Sequence, residues 1–365
     1  MIERSAALRV ARLAGGVLEK SKAMDRIASG YTRIDPVGIA EAEGIQVLAR
    51  PLDKLLGAFL REDQVGILLN TLRPSGMFHM TCAHELGHYF LGHGTTADDR
   101  IDYEADASGF ELEADQFAYA LISPLWLIAH VVRVQRWGWN MLTNPLTVYQ
   151  LSLRLGLSYA GTVWSLARHK KLDSTTARRL AKVRPADIKA ALAPQGTFRE
   201  AAADVWQVGP RDKDHILEPR LSDQIIMDLP SHAAAGYLWS VDEAAAAGYT
   251  LKPVTIDSSA QSAAAEADLP VGSATTARYE LAFDGSKPAV AAQAPTHAPQ
   301  ALEPNAATTF GAASVVEVGL AERQPWLRAG TPLPTAFSLR TKFESSPVGL
   351  SAAGRERRLK EALEE

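Results

Sequence analysis

The sequence predicts an α+β protein in which a helix-rich first part is followed by a β-rich second part. Apolar residues recur at helical spacing around residues 81–91 and 110–122, and residues 151–166 have the pattern of two short helices. From about residue 200 the pattern changes to short alternating segments, which are typical of strands. With 365 residues, the chain is long enough for two or three domains.

Composition excludes several classes of protein. Hydrophobic residues make up 47% of the chain and its net charge is −4, so the whole molecule has no basic signature of nucleic-acid or membrane binding. A single cysteine, Cys82, excludes an internal disulfide framework. The chain contains no uninterrupted run of 18 apolar residues, and charges interrupt its first 20 residues. We therefore expect no membrane span, no secretory signal and a cytoplasmic location.

The pattern of the first 70 residues predicts two helices and a strand, followed by a hairpin. We expect helix over residues 1–30, a short helix from Asp35-Pro36 to about Glu43, and a short strand over 45–49. Residues 57–60 and 65–69 flank a polar turn and predict a β-hairpin. Such a hairpin just before the next helix could offer a free edge strand to an extended peptide, although an ordinary core hairpin has the same pattern.

The next helix carries the sequence His84-Glu85-Leu86-Gly87-His88, an H-E-x-x-H motif. Residues four apart lie on one helix face, so His84 and His88 can direct their imidazoles at one metal ion. Glu85 can then reach a water on that metal and act as general base. The motif alone is moderately specific, because an amphipathic helix with two surface histidines has the same pattern.

A catalytic zinc site needs a third protein ligand. His93 is the nearest candidate, but Leu91 and Gly94 stand where the metzincin pattern has a Gly and a His. The better candidate lies on a second predicted helix, over residues 110–123, which ends near Pro124. Glu111 and Asp115 share one face of that helix, so Glu111 can ligate the metal while Asp115 accepts a hydrogen bond from a ligand histidine. Glu113 is the reserve ligand, and the bland alternative is a solvated acidic face.

Three further groups of residues are candidates for a chemical role. Cys82 precedes the first ligand by two residues and is interpreted as a small packing residue. The acidic residues of the segment 94–110 do not have the spacing of an EF-hand calcium loop, so a solvated loop is favoured. An oxyanion donor is needed, and its candidates are Tyr89, His93 and His130. The acidic residues of the segment 94–110 are Asp98, Asp99, Asp102, Glu104 and Asp106.

The two helices together resemble a known family. The segments MTCAHELGHYFL and ELEADQFAYALISP are similar to the paired motifs of the ImmA/IrrE-type metallopeptidases, and the resemblance covers roughly residues 30–190. It implies a zincin-like metallopeptidase domain with Zn²⁺ held by His84, His88 and Glu111, and with Glu85 as general base. It also implies an intracellular protease whose substrates are helix-turn-helix repressors.

Residues 151–166 resemble a helix-turn-helix, with Gly156 at the turn and Ser158 as the cap of the second helix. Over residues 151–190 there are nine basic and two acidic side chains, a local charge of +7. Contact with a phosphate backbone is one interpretation. A small helical domain with solvated basic faces is the favoured one, so DNA remains a partner that we do not favour.

The β-rich part predicts a β-sandwich. Its three segments Ala235 to Trp239, Val271-Gly272 and Arg323 to Trp326 resemble, weakly, the three loops of chagasin-type inhibitors of cysteine proteases. That resemblance implies an immunoglobulin-like fold, although the first and third loops depart from the inhibitor pattern. The predicted strands cover residues 204–208, 224–229, 236–241, 250–256, 278–283, 315–320 and 337–343, with long insertions at 258–267 and 287–314.

The sequence therefore predicts four regions: a zincin-like metallopeptidase domain (1–135), a helical, helix-turn-helix-like segment (136–195), an immunoglobulin-like β-domain (200–345) and a charged helical tail (346–365). The predicted function is a zinc-dependent endopeptidase acting on a protein, with a transcriptional repressor as the expected substrate. A DNA-binding or sensor protein with a regulatory zinc site is one alternative. An inhibitor-like interaction protein acting through the C-terminal domain is another.

Overall fold

The structure, a computed structural model, divides the chain into two units, residues 1–188 with 346–365 and residues 189–345, and each is described by itself. Helices and several sheets are present, which confirms the predicted α+β class. The structure describes residues 3–61, 65–94, 96–98, 109–193, 203–220, 222–241, 249–254, 275–283, 315–324, 326, 336–342 and 349–350.

Three helices begin the first unit: α1 (Arg4–Lys20), α2 (Ala23–Ala28) and α3 (Pro36–Ala42). The single helix expected over residues 1–30 is wrong, because the backbone turns at Lys22, which has a left-handed φ of 53°. The predicted short helix is confirmed as α3, where the Asp35 side chain accepts a hydrogen bond from Gly38 N and caps the helix.

A five-stranded sheet follows, in the order β13-β1-β3-β2-β4. The predicted strand and hairpin are confirmed as β1 (Gln46–Arg50), β2 (Gly57–Arg61) and β3 (Val65–Asn70). Strand β1 is parallel to β3, and β2 is antiparallel to β3. The other two strands are β4 (Thr96–Asp98) and β13 (Gly349–Leu350).

Both outer strands correct a sequence-based expectation. Strand β4 pairs with residues 57–59 of β2, so the hairpin edge that could have been free is already paired there. Strand β13 pairs with β1 at Leu48 and Ala49, although this stretch was expected to be part of a charged helical tail. The remainder of that tail, residues 346–348 and 351–365, lies outside the described residues, as do residues 99–108 of the acidic segment.

The two helices of the paired motifs cross at very short distance. They are α4 (Ser75–Leu91), which ends at Gly92 with a left-handed φ of 77°, and α5 (Gly109–Ile122). A Cβ added at Gly87 of α4 would lie 2.9 Å from the Cα of Ala114 on α5 and 3.0 Å from its carbonyl oxygen. Because a larger residue at position 87 would meet the backbone of Ala114, Gly87 permits the short distance between α4 and α5.

The predicted helix-turn-helix geometry is present. Gly156 has a left-handed φ of 67°, and the Ser158 hydroxyl accepts a hydrogen bond from Gly161 N at the start of the second helix. The turn packs on α4, since a Cβ at Gly76 would lie 2.2 Å from the backbone of Leu157 and Ser158. The helices of this region are α6 (Leu125–Val134), α7 (Pro145–Leu155), α8 (Tyr159–Arg168), α9 (Ser174–Ala181) and α10 (Pro185–Leu192), with a 3₁₀ turn at Trp139–Thr143.

Among the described residues, one helical stretch, Gly109–Val134, is long and apolar enough to cross a membrane by length and composition alone. It consists of α5, a break before Pro124 and α6. Because 56% of its most apolar part is buried inside the protein, and core helices of soluble proteins have the same length and composition, this stretch is weak evidence for a membrane span. The expectation of no membrane span stays a prediction.

The second unit contains two four-stranded sheets, in the orders β5-β7-β10-β9 and β6-β12-β11-β8. All seven predicted strands are confirmed, and the two-residue strand β6 is added to them. Most of residues 258–314, including both predicted insertions, lie outside the described part of the chain. The strands are β5 (Val205–Val208), β6 (Ile216–Leu217), β7 (Gln224–Ser231), β8 (Leu238–Val241), β9 (Tyr249–Pro253), β10 (Thr275–Phe283), β11 (Val315–Arg323) and β12 (Ala336–Lys342).

Two of the three loops singled out in the second unit meet each other. Trp239 is buried, and its indole N–H donates to the Pro230 carbonyl. Trp326 covers Gly236, where an added Cβ would lie 2.2 Å from the indole ring. Trp326 itself is 68% exposed. The first and third loops therefore present one continuous surface, while Val271-Gly272 of the second loop lies outside the described residues.

We expect Gly87→Ala to destabilise the protein although alanine is the better helix former. The added methyl group would overlap the Ala114 backbone, and overpacking of this kind costs about 1–3 kcal/mol. The matched control is Gly16→Ala, on an exposed helical position with nothing within 4 Å of the added Cβ. There the change should stabilise by up to about 1 kcal/mol. Urea unfolding of both variants measures the difference; equal shifts of the same sign would contradict the close crossing.

Candidate metal centre

The two histidines of the motif lie side by side on the buried face of α4. His84 is 4% exposed and His88 is fully buried, as is Glu85 between them. The Nε2 atoms of the two imidazoles are 3.1 Å apart, which is the consequence of their four-residue spacing on one helix. The ring of Phe59, on β2, stacks on His88 at 6.4 Å between centroids and fixes that side of the imidazole.

The crossing of α4 and α5 brings Glu111 to these histidines. Its Oε2 atom lies 3.0 Å from His84 Nε2 and 3.5 Å from His88 Nε2. Hydrogen bonds with His84 and His88 hold the pKa of the Glu111 carboxyl below its ordinary value, so the group is a carboxylate at neutral pH. Carboxylates and neutral imidazoles are the forms in which these side chains ligate metals.

His84, His88 and Glu111 form a group that could hold a metal ion. Three donors on a tetrahedral zinc ion with bonds of 2.0–2.1 Å would be about 3.3 Å from one another. The observed separations of 3.0, 3.1 and 3.5 Å surround that value. With the Nε2 lone pairs of both imidazoles directed at this point, the three atoms would fit a metal and leave a fourth position open.

Asp115 lies behind His84, one turn along α5 from Glu111. Its Oδ1 atom is 2.9 Å from His84 Nδ1. If the His84 Nδ1–H donates to this carboxylate, the lone pair of His84 is on Nε2, the atom that faces Glu111. The structure thus brings Asp115 to the position expected from the one-turn spacing of Glu111 and Asp115.

The reserve ligand Glu113 and the nearest histidine, His93, lie outside the group of three. Glu113 pairs with Arg9 on α1, and its Oε2 atom lies 3.8 Å from His93 Nε2. His93 Nδ1 is 2.9 Å from His88 Nδ1. Burial, with the neighbouring His88, lowers the pKa of His93 despite the opposing effect of nearby carboxylates. The sequence motifs do not predict this contact between His88 and His93. The sequence signal for it is His93 itself, which immediately follows Gly92 at the end of α4.

Glu85 faces the sheet. An added Cβ at Gly57 of β2 would lie 3.0 Å from Glu85 Oε1 and 2.4 Å from the Thr81 methyl group. Only glycine at this position leaves room for the carboxylate between α4 and β2. The role of Gly57 was not predictable from the sequence, because a glycine in a strand can have many causes. Its contact, Glu85, lies 28 positions further along the chain.

The other candidate residues, Cys82, Tyr89 and His130, are not members of the group of three. Cys82 is fully buried, and burial raises the pKa of its thiol well above the ordinary value, in keeping with a packing role. Tyr89 packs edge-on against Phe59, and its carbonyl accepts a hydrogen bond from Arg61. His130 lies on α6, a different helix. The assignment of an oxyanion donor among Tyr89, His93 and His130 stays a prediction.

Comparison with known proteins agrees with the first resemblance. Residues 40–139 match the family model described as the IrrE N-terminal-like domain, Peptidase_M78. The matched span contains His84, Glu85, His88 and Glu111, and it confirms the resemblance to this peptidase family over those residues. No curated protein matches the sequence.

Among solved structures, one match is the crystal structure of the cysteine protease inhibitor EhICP2 from Entamoeba histolytica. The match has 11% identity, covers 39% of this chain and 97% of that chain, and has a TM-score of 0.24. At that TM-score it carries no argument about the fold or the function of the second unit.

Alanine substitutions should distinguish the expected ligand Glu111 from the reserve candidate Glu113 on α5. We expect Glu111→Ala to weaken metal binding strongly, because it removes one of three donors, and Glu113→Ala to weaken it less, because Glu113 contacts Arg9 and His93 instead. Metal titration in a chelator-buffered solution measures both affinities. The reverse order would show that Glu113 is the ligand.

Proposed function

We propose that this protein, whose residues 40–139 match a peptidase family, is a zinc-dependent endopeptidase that hydrolyses peptide bonds in a protein substrate. The observation that carries the proposal is the convergence of His84, His88 and Glu111 beside the buried Glu85. Two imidazoles and one carboxylate are the ligand set of a catalytic zinc site that keeps one position open. In fold terms we propose a zincin-like domain around α4 and α5.

The chemistry follows from the placement of Glu85. When bound, zinc polarises the scissile carbonyl and makes a nearby water more acidic. Glu85, next to His84 on the same helix, accepts a proton from the attacking water as its oxygen bonds to the carbonyl carbon. Glu85 then delivers that proton to the amine nitrogen as the C–N bond breaks.

Two considerations guide the choice of substrate. The resemblance to ImmA/IrrE-type peptidases implies an intracellular enzyme that cleaves helix-turn-helix repressors, and we propose a cytoplasmic protein substrate of that kind. We also propose that the two four-stranded sheets of the second unit form an immunoglobulin-like sandwich that docks this substrate. The continuous loop surface around Gly236 and the exposed Trp326 supports a docking role.

Several of the basic side chains that the DNA-binding alternative would use also make contacts within the protein. Six of the nine basic residues between positions 151 and 190 have partners within the protein. Arg154 is buried, Arg168 and Lys171 lie over aromatic rings, and the other three bond to oxygen atoms. Salt-dependent DNA binding by the full chain would favour this alternative, and submicromolar inhibition of a papain-like protease would favour the inhibitor alternative. The three residues bonded to oxygen atoms are Arg179, Arg184 and Lys189.

Glu85→Gln tests the enzymatic proposal. The amide preserves the size of the side chain but is not a general base, so peptidase activity should fall by about 10²-fold or more. Zinc content should stay near that of the wild type, because Glu85 is not a ligand. The assay is cleavage of purified helix-turn-helix regulators from the host, with and without chelator.

The control is Glu19→Gln, on the exposed face of α1, which should retain full activity. Retained activity in zinc-loaded Glu85→Gln would rule out Glu85 as the base. Activity that survives complete chelation would rule out a metallopeptidase.

A further inference from the structure

The imidazole of His88 is held from both sides. Its Nε2 atom belongs to the metal group, while its Nδ1 atom lies 2.9 Å from His93 Nδ1. Helix α4 ends at Gly92, and the turn returns His93 N to within 2.9 Å of the His88 carbonyl oxygen. This turn brings the His93 ring against the ring of His88, with 5.0 Å between centroids. His93 is 7% exposed, so this contact is sheltered from solvent.

Only one proton can lie between the two Nδ1 atoms. If His88 donates it, the His88 lone pair is on Nε2, and the imidazole can ligate a metal there. If His93 donates it, neutral His88 carries its own proton on Nε2 and cannot ligate. The direction of this one hydrogen bond therefore decides whether His88 is a competent ligand.

Groups on the other side of His93 favour the ligating direction. When His93 accepts at Nδ1, its proton is on Nε2, and that atom faces Glu113 Oε2 at 3.8 Å. An N–H directed towards a carboxylate is favourable, whereas a lone pair directed towards it is not. Arg9 pairs with Glu113 and holds it in place. The ring of Phe110 lies 4.7 Å from that of His93 and fixes its orientation.

From this geometry we infer that His93, oriented by Glu113, is the positioning residue that fixes His88 in its metal-binding tautomer. The inference rests on the proposed zinc site and extends it. On the side away from the metal group, His84 contacts the carboxylate of Asp115. On the same side His88 contacts the imidazole of His93, which the carboxylate of Glu113 orients. His93 is not a ligand, because its Nδ1 atom bonds the ring nitrogen of His88 that lies outside the metal group.

Two substitutions of His93 separate positioning from packing. His93→Leu fills the space but accepts no proton, so zinc affinity should fall by about 10- to 100-fold, the usual effect of losing an outer partner. His93→Gln offers a carbonyl oxygen to the His88 N–H and should bind zinc within a few-fold of wild type. Zinc dissociation constants come from competition with a chromophoric chelator. The control His169→Leu, at a part-buried histidine that bonds the Ser123 carbonyl, should change zinc affinity little.

A second readout follows the tautomer itself. In the metal-free protein, Glu111 Oε2 lies 3.5 Å from His88 Nε2 and competes for a proton on that atom. Imidazole ¹⁵N chemical shifts, at a pH where His88 is neutral, should therefore show a larger share of His88 with its proton on Nδ1 in the wild type and in His93→Gln than in His93→Leu. Thermal unfolding of the metal-free variants should be similar for Leu and Gln.

Equal zinc affinity in His93→Leu and wild type would overturn the inference and leave the proposed peptidase intact. Equal losses in His93→Leu and His93→Gln, with lowered stability in both, would make His93 a packing residue and would also overturn the inference. Failure of the folded wild type to bind zinc would overturn the proposed function together with the inference.

Discussion

The metal centre depends on the close crossing of α4 and α5 at Gly87 and Ala114. Ligands on one helix can supply two donors, because residues four apart share a face, but a third donor must come from another element. A Cβ at Gly87 would overlap the backbone at Ala114, so the helices approach as closely as their backbones allow. That distance lets the short carboxylate of Glu111 reach both imidazoles. Asp115 reaches His84 from the next turn of the same helix.

The outer contacts of the two histidines differ in chemistry. His84 Nδ1 lies directly against the carboxyl group of Asp115. His88 faces a neutral imidazole, with the carboxylate of Glu113 one ring further away and paired with Arg9. Less negative charge therefore lies next to His88. Because α1 supplies Arg9, the chain of contacts also links the first helix of the protein to the metal centre.

Local patterns in the sequence predicted much of the architecture and the group of three. The H-E-x-x-H spacing, the caps at Asp35 and Ser158 and the alternation in the second unit are short-range signals that the structure reproduces. Contacts between distant segments were not predictable in this way. The pairing of β4 with β2 depends on three residues inside an acidic stretch, and that of β13 with β1 joins segments 300 positions apart. The break at Lys22 needed a left-handed non-glycine residue, which has no sequence signature.

Zinc K-edge X-ray absorption of the purified protein tests the central claim most directly. The account predicts one zinc ion with nitrogen and oxygen donors at about 2.0–2.2 Å and the multiple scattering of two imidazoles. Scattering from three imidazoles would make His93 a ligand, and a sulfur donor at about 2.3 Å would place Cys82 in the shell. Either result would contradict a metal centre built from His84, His88 and Glu111 by the crossing of α4 and α5.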